Sequence, residues 1–522
     1  MVVTWCLYVP SLGHAFVFDD VEMVARNKHI ESLRNIPRFF TPGYWRQERP
    51  GRSYRPLVET SLAVNTAVFG KAPWGLRAVN IMQLTVLAVL VYWLAWRLLG
   101  SRAAALIAGL VFAVHPMHLE TVTVVKNRSE VMAGLFAVVA VLCFLRAVRG
   151  AGRWWAWWSA AIGACVLALL SKEVAVALPL VLTAAALLLA PTGRRRRAAA
   201  LTAPMWLTAA AFLVLLFATM PDRYGAPLGA EFAAARRFAE LTGFQRVLVS
   251  IKTVGTYLWL LVWPVETCAD RAFAIPPDPW RADVLLPWGA VACLVAGTIL
   301  AWRRNRPLAF ALAWLGVALA PVANIAADAR RPVAEMRLLG PSIPFALIVG
   351  LVLARLGVLS FDLRPGVGRA PGAARRLVTS SIATVVLVAW LLVAGSVIVS
   401  SLPHWRDSVS LWERTARQSP SSWRAQYNCG VALGKRAGDL AAAGDQDDAL
   451  ALQMRSVDHL RKAVELDDRQ WRGFHGLAVG LTRLGRFDEA EDALRRAAQL
   501  APENERVRKA LDDLNRIRRG QP

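Results

Sequence analysis

The sequence has few of the residue patterns that hold disulfides, bind metals or drive nucleotide chemistry. Its six cysteines form no CxxC pair, so neither a disulfide framework nor a zinc site is expected. It contains no glycine-rich phosphate loop, nucleophile elbow or HExxH motif, which argues against nucleotide-driven or hydrolytic chemistry. Acids are also scarce, with 37 Asp and Glu residues against 61 Lys and Arg residues. Because the arginines fall in short clusters between apolar runs, the net charge of +24 indicates membrane topology and not nucleic-acid binding.

Apolar residues, in contrast, are abundant. They make up 56% of the 522 residues, with a mean hydropathy of +0.39, whereas ordinary globular chains are about 45–50% apolar. Most of the chain therefore needs lipid. A membrane span requires about 20 apolar residues. Runs near that length lie at 79–98, 130–149, 154–171, 174–190, 199–220, 284–302, 307–322, 341–357 and 377–402.

Two other apolar runs are shorter. The first extends from Val2 to Phe18 and lacks the charged region and cleavage site of a signal peptide, so we expect a retained helix. The second extends from Ala103 to Val114 and stops before His115 and Pro116. This pattern favours either a broken helix or a helix that begins inside the preceding turn.

Arginine clusters predict which loops face the cytoplasm. They lie at 97–102, 146–153, 194–197, 303–306 and 355–376. All of them fall on one side only if the apolar segment 247–265 does not cross, and its Lys252 suits a re-entrant or interfacial segment. The expected fold is therefore an all-α bundle with about eleven crossings. The expected outer segments are loop 1 (residues 19–78), loop 2 (residues 115–130), and residues 172–173, 221–283, 323–340 and 403–522.

Residues 403–522 carry a helical repeat. The copy at 471–504 matches the roughly 34-residue tetratricopeptide (TPR) spacing, in which small residues let two helices pack closely. The matching positions are Leu477, Ala478, Leu481, Gly485, Ala490, Leu494, Ala497 and Pro502. A degenerate copy at 423–468 has about fourteen extra residues between its helices, around 438–446. A half repeat at 408–420 and a capping helix at 505–517 complete a short solenoid of the kind that usually binds peptides.

Loop 1 opens with the adjacent carboxylates Asp19 and Asp20 of FVFDD. Helix capping or ordinary polarity at a membrane boundary explains such a pair about as well as catalysis does. Snorkelling or hydrogen bonding at an interface similarly suits the other charged residues and histidines taken singly. Their convergence on one side favours a functional site. The residues on that side include Tyr54, Arg55, His115, His118, Glu120, Arg128, Glu130, Lys172, Glu173, Glu335 and Arg337.

These residue types suit transfer of a sugar from a lipid phosphate. A carboxylate can orient or deprotonate an acceptor hydroxyl, while arginines stabilise the charge that develops on the departing phosphate. The HPMH motif has two histidines three residues apart but no convincing third ligand, so it is a poor zinc site. No cofactor is predicted, and the sequence leaves a divalent-metal requirement open.

The motifs FVFDD, SYRPL, HPMHLETV, SKE and EMRLLGPS occur in the order seen in one group of membrane glycosyltransferases. With the TPR tail, the chain resembles the transmembrane-and-TPR-containing protein O-mannosyltransferases, with the Ala- and Arg-rich composition of a bacterial member. The resemblance implies a GT-C membrane fold at 1–402 and a TPR domain at 403–522. It also implies transfer of a sugar, mannose in the family, from a polyprenyl phosphate to Ser or Thr of a translocated protein. The family's usual repeat array is longer than the one here.

Roles for individual residues follow from the same resemblance. Asp19 and Asp20 match the acidic pair, one of which would be the base or the group that orients the acceptor. Arg55 and Arg337 match basic positions that could hold the donor phosphate, and Glu120 matches the acid of loop 2. Tyr54, His115 and His118 belong to the same motifs and are assigned to substrate binding.

Three hypotheses follow from the sequence. The first is a polyprenyl-phosphate-sugar-dependent protein O-glycosyltransferase whose TPR domain presents the acceptor polypeptide, in a bacterial inner membrane with the TPR domain in the periplasm. The second is a membrane-anchored TPR scaffold for envelope assembly that has lost catalysis. The third is a GT-C transferase whose acceptor is a lipid or a glycan.

Overall fold

The computed structural model describes residues 1–48, 53–150, 152–220, 241–323, 331–358 and 373–519, the side chains of 373–379 excepted. Parts of the predicted outer segments 221–283 and 323–340, and of the basic stretch 355–376, lie outside these residues. The regular structure of the described residues is helical throughout, as the sequence predicts.

Seven described helices are long and apolar enough to cross a membrane: Pro73–Leu99, Val125–Arg149, Trp154–Ser171, Thr192–Thr219, Ala282–Arg304, Glu335–Arg355 and Ser380–Trp405. An eighth candidate is the pair Arg102–Ala113 and Pro116–Thr123, which is bent by 48°. Three shorter apolar helices are Val2–Gly13, Glu173–Leu189 and Arg306–Val322. The seven spans, the bent pair and the shorter helices together make eleven apolar elements among the described residues. The protein is thus a multi-pass membrane protein.

The bend near Pro116 is the break expected from the sequence. The preceding helix is Arg102–Ala113, and the side chain of its N-cap residue Ser101 accepts a hydrogen bond from the backbone N–H of Ala104. His115 then has an extended backbone and Pro116 begins a short 3-10 turn. The break turns the chain into loop 2, which lies at the end of the helix Arg128–Arg149.

The apolar segment predicted at 247–265 is the uninterrupted α-helix Gly243–Val262. Its backbone is regular, so the irregularity associated with re-entrant segments is absent from this helix. Gly255 allows close packing against the next helix, because a Cβ at this position would lie 2.3 Å from the ring of Pro287. Lys252 donates to Asp283 at 2.8 Å. The re-entrant topology stays a prediction.

The C-terminal region consists of antiparallel helix pairs. Its helices are Ser408–Gln418, Trp423–Ala442, Gln446–Leu466, Trp471–Arg483, Phe487–Leu500 and Glu505–Arg518. The expectation of extra residues between the helices of the first full pair is wrong in one respect: they lengthen both helices, leaving a turn of only three residues. Small residues let that pair pack closely, since a Cβ on Gly430 would lie 2.6 Å from Leu460. The arrangement is consistent with TPR units, whose assignment stays a prediction.

Candidate active site

Asp20 is fully buried and anchors loop 1 to loop 2. Its Oδ2 accepts from the backbone N–H of Val125 at 2.7 Å, and its Oδ1 accepts from that of Lys126 at 2.8 Å. Burial raises the pKa of Asp20 to about 6, although the two backbone bonds and Arg77 oppose the rise. Both carboxylate oxygens are thus committed to holding the two loops together.

Asp19 has a different environment. Its side chain is 41% exposed, and its Oδ2 forms an ion pair with Lys126 Nζ. Of the two adjacent acids, Asp19 is therefore the one that a substrate can approach.

Arg77 fixes the start of loop 1 from inside the bundle. Its guanidinium is fully buried and donates to four backbone carbonyls. The acceptors and distances are Thr123 at 3.1 Å, Ser11 at 2.8 Å, His14 at 2.9 Å and Ala15 at 3.1 Å. Since these carbonyls belong to loop 2 and to the segment before Asp19, one side chain sets the relative position of both.

Glu120 is buried within loop 2 and pairs with a residue distant in sequence. Both of its oxygens accept from Arg331, at 3.0 and 3.2 Å. Arg331 Nε also lies 3.6 Å from Asp270 Oδ1. The structure therefore places Glu120 in an internal ion-pair network, and the predicted contact between its carboxylate and a substrate would require that network to rearrange.

His115 and His118 are fully buried. Nε2 of His115 lies 3.1 Å from the carbonyl of Leu261, and Nε2 of His118 lies 2.9 Å from Ser342 Oγ. The Ser342 hydroxyl donates to Leu339, so His118 Nε2 is the donor in its bond. These contacts favour a role in tying loop 2 to the neighbouring helices, and the predicted substrate-binding role remains untested.

Arg55 and Tyr54 lie in loop 1 just before the helix Pro56–Phe69. Arg55 forms a two-pronged bond with Glu173, at 3.0 and 2.8 Å, and a third bond with Ser129 Oγ at 3.3 Å. Tyr54 is 2% exposed and donates to the Phe40 carbonyl at 3.2 Å. Arg55 is thus held in place at a polar cluster, whereas Tyr54 is part of the packed loop.

Lys172 forms a cluster with three other cations, Arg55, Arg337 and Lys126. Burial, and then the charges of Arg55, Arg337 and Lys126, hold the pKa of Lys172 well below its usual range. Lys172 pairs with Glu130, and both side chains are almost fully buried. Lys126 is also the partner of Asp19. Lys126 therefore connects the two groups: it pairs with the carboxylate of Asp19, and its charge acts on Lys172.

An apolar cleft lies next to this cluster, and Arg337 is the one of these four cations that lines it. The centres of water-sized molecules can occupy about 80 Å³ of it, and the cleft is partly open to solvent. Glu130 and Arg337 lie at its polar part, and most of its remaining walls are aliphatic, with Trp314 among them. Arg337 donates to the carbonyl of Arg331 at 3.0 Å. A cleft with an arginine at its polar part and alkyl walls elsewhere fits an amphiphile with an anionic head.

Lys126, Arg331 and Asp270 were missed as functional candidates by the sequence argument. Lys126 could have been found, because it lies in the same motif-bearing segment as Glu120 and Arg128. Arg331 and Asp270 have no local signal, since their partners are far away in sequence. Among the described residues, no group of three His, Cys, Asp or Glu side chains is placed to hold a metal ion.

Comparisons with known proteins agree with the predicted family. Residues 50–221 match the family described as dolichyl-phosphate-mannose-protein mannosyltransferase. The chain is 32% identical over 144 residues to protein O-mannosyl-transferase tmtc2 of Xenopus laevis, covering 27% of this chain and 17% of that protein. It is 26% identical over 432 residues to protein O-mannosyl-transferase Tmtc3 of Drosophila melanogaster, covering 68% of this chain and 46% of that protein. The matched region thus spans less than half the length of either relative.

A solved structure is also similar. It is the crystal structure of ArnT from Cupriavidus metallidurans bound to undecaprenyl phosphate, with a TM-score of 0.43 and 18% identity, covering 96% of this chain and 80% of that one.

Proposed function

We propose, since the chain belongs to the protein O-mannosyltransferase family of membrane glycosyltransferases, that it transfers mannose from a polyprenyl phosphate to Ser or Thr hydroxyls of translocated proteins. The observation that carries the proposal is the partly exposed Asp19 carboxylate, paired with Lys126 of a cation cluster whose Arg337 lines an apolar cleft. This arrangement offers a separate place for each reactant.

Asp19 is the group proposed to act on the acceptor. Its carboxylate accepts the proton of the Ser or Thr hydroxyl as the hydroxyl oxygen bonds to C1 of the sugar. The bond between C1 and the phosphate oxygen breaks in the same reaction, and the electron pair leaves with the polyprenyl phosphate. Lys126 orients the carboxylate through its ion pair before the proton is transferred.

The donor would occupy the cleft. Its isoprenoid chain would pack against the alkyl walls, and its phosphate would lie near Arg337 and the buried Lys172. Positive charge placed where the leaving group develops its negative charge stabilises the transition state more than the ground state. Arg55 supports this arrangement through Glu173, which it orients with two bonds.

Asp20 is proposed to position the reactive loop without touching the substrates. Its bonds to the backbone of Val125 and Lys126 fix the distance between loop 1 and loop 2, and hence the placement of Asp19 beside Lys126. The C-terminal domain would present the acceptor polypeptide on the same, extracytoplasmic side, which in a bacterium is the periplasm.

The test is a transfer assay with the full chain in lipid nanodiscs, polyprenyl-phosphate mannose and a Ser/Thr-rich peptide, with glycopeptides measured by mass spectrometry. Asp19→Asn removes the base and is expected to lower kcat at least about 100-fold, in the range of general-base catalysis. Its thermal unfolding should remain close to that of the wild type, because Asp19 is partly exposed.

Glu22→Gln is the matched control. Glu22 lies three residues after Asp19, is exposed and pairs with Arg26 within its own turn, so the variant should retain activity. Full transfer by Asp19→Asn would contradict the base assignment. If the wild type mannosylates a lipid or a glycan but no peptide, the acceptor is not a protein. If the wild type transfers no mannose at all, the scaffold hypothesis is favoured.

A further inference from the structure

Phe18, the residue before the acidic pair, has a backbone conformation that aromatic residues disfavour. Its φ is +55°, and it is the only residue other than glycine with a positive φ among those the structure describes. The left-handed region brings Cβ too close to the following carbonyl in an L-residue, and a bulky residue remains there only when its surroundings hold it. This conformation sets the direction in which the chain enters Asp19.

Two side chains from distant parts of the sequence hold the Phe18 ring. Trp412 stacks on it with ring centroids 5.4 Å apart and an interplanar angle of 25°. The guanidinium of Arg331 lies 5.4 Å from the ring centroid. Trp412 is 5% exposed, so the stack is enclosed by protein.

Trp412 belongs to the C-terminal domain, on the helix Ser408–Gln418. The start of that helix is attached to the same segment that leads into Phe18, because the N–H of Ala15 donates to the carbonyl of Arg406 at 2.9 Å. Asp407 caps the helix by accepting from the N–H of Ser410 at 2.8 Å. Arg406, which lies just before the cap of this helix, is therefore attached to the segment that precedes loop 1.

A second set of contacts joins the C-terminal domain to Arg331, the other side chain that contacts the Phe18 ring. Ser422 donates to Asp270 Oδ2 at 2.5 Å, and Arg424 lies 3.6 Å from Asp270 Oδ1. Arg331 lies at the same distance from that oxygen. A continuous chain of contacts therefore runs from Trp412 to Phe18, then to Arg331 and Asp270, and returns to the C-terminal domain at Ser422 and Arg424.

We infer that Trp412 is a positioning residue for sugar transfer: by stacking on Phe18 it holds the left-handed turn that aims Asp19 at the acceptor. The C-terminal domain is then part of the active site's framework, in addition to any part in acceptor capture. This role rests on the function proposed above. It also predicts a measurable property of loop 1 that does not depend on catalysis.

The first experiment measures transfer by the full chain in nanodiscs. Trp412→Ala should lower kcat about tenfold, equivalent to about 1.4 kcal/mol, which is the order of the penalty for a left-handed residue. The KM for the lipid donor should be unchanged, since Trp412 does not line the cleft. Trp412→Phe keeps a stacking ring and should restore most of kcat. Glu413→Gln, which alters an exposed pair with Arg455, serves as the neighbouring control.

The second part of the experiment asks whether Trp412 acts through Phe18. Phe18→Gly removes the ring on which Trp412 stacks, and glycine tolerates positive φ without being held there, so this variant should itself lower kcat by about as much as Trp412→Ala. In that background Trp412→Ala should cost less than about threefold. An equal loss in both backgrounds would mean that Trp412 only docks the domain, and that result would overturn the inference.

A third measurement separates this inference from the proposed function. Asp19→Cys, in a Cys6→Ser, Cys293→Ser background, is labelled with a membrane-impermeant maleimide. Adding Trp412→Ala should raise the labelling rate at least about threefold, because the turn is released. Absence of any mannose transfer by the wild type would refute the proposed function but not this effect. An unchanged labelling rate would overturn the inference whatever the activity.

Discussion

The helices around the active site differ from those at the periphery in how much protein surrounds them. In the most apolar stretches of Pro73–Leu99, Val125–Arg149 and Glu335–Arg355, 50%, 67% and 56% of the residues are buried. The corresponding shares for Ala282–Arg304 and Ser380–Trp405 are 11% and 17%. The first three helices are therefore largely surrounded by other helices, and the last two expose most of their surface where lipid would contact it.

Buried charged residues lie on the enclosed helices. Arg77, Arg128 and Glu130 lie on the enclosed helices and are buried with partners, whereas Leu286 and Val385 of the outer helices are largely exposed. An ionised side chain at membrane depth is tolerated where protein groups replace water. Enclosure by neighbouring helices thus permits the charges that the proposed chemistry uses, and four predictions test the contrast.

The largest effect is expected for Arg77→Leu. The substitution leaves four carbonyls without their donor, two of them buried and two partly buried, which should cost about 4 kcal/mol and sharply reduce the yield of folded protein. The measurement is thermal unfolding of the detergent-solubilised chain, followed by size-exclusion chromatography. Arg97→Leu, at an exposed arginine over Trp93, should cost only about 0.5 kcal/mol. Similar costs at both positions would contradict the contrast.

The next effect is a pH dependence from Asp20. Because its pKa rises from 3.8 to about 6 on folding, the native state binds more protons than the unfolded state in that interval. The free energy of unfolding is therefore expected to fall by about 3 kcal/mol as Asp20 ionises. The contribution of protonated Asp20 is complete below the unfolded pKa and is lost as the pH rises through the folded pKa. In Asp20→Asn this part of the pH dependence should disappear. Parallel wild-type and variant unfolding midpoints from pH 4 to 7 would refute the assignment.

A smaller effect is expected in the cleft. Ala137 lines it, and Ala137→Leu would occupy space assigned to the isoprenoid chain. We expect the KM for the lipid donor to rise about tenfold, with little change in kcat. Ala160→Leu adds the same group to an exposed position on the helix Trp154–Ser171 and should leave both constants unchanged. An unaltered KM in Ala137→Leu would place the donor elsewhere.

The smallest effect is expected on the lipid-facing side. Leu286 is 74% exposed, so Leu286→Ala removes few protein contacts and should change the free energy of unfolding by less than about 0.5 kcal/mol. Thermal unfolding in nanodiscs checks this value. A loss above 2 kcal/mol would show that this helix is covered, for example by a second copy of the chain.

Helix positions were largely predictable from the sequence. The run 154–171 is a helix with those same limits, and the break at His115 and Pro116 is where the chain bends. These features follow from the local length of apolar runs and from proline, which lacks a backbone N–H. The acidic pair Asp19 and Asp20 was noticed as a candidate because charges next to an apolar run are conspicuous, and its function stays a prediction.

The division of roles between Asp19 and Asp20 was not predictable. It depends on the backbone of Val125 and Lys126, which meets Asp20 only after the helices have packed. Contact between Trp412 and Phe18 is likewise a product of tertiary structure, because nothing in either local sequence marks a partner so far away. The extra residues near 438–446 were placed between helices because spacing alone does not distinguish a longer loop from longer helices.

The lengthened helices Trp423–Ala442 and Gln446–Leu466 have a practical consequence. Their connecting turn contains Gly444 at φ +91°, and residues 442–447 are exposed. Exposed loop tips tolerate insertions best. A protease site inserted after Gly444 would be cut only from the compartment that holds the C-terminal domain, so this turn can report which face of the membrane the proposed transfer uses in a living cell.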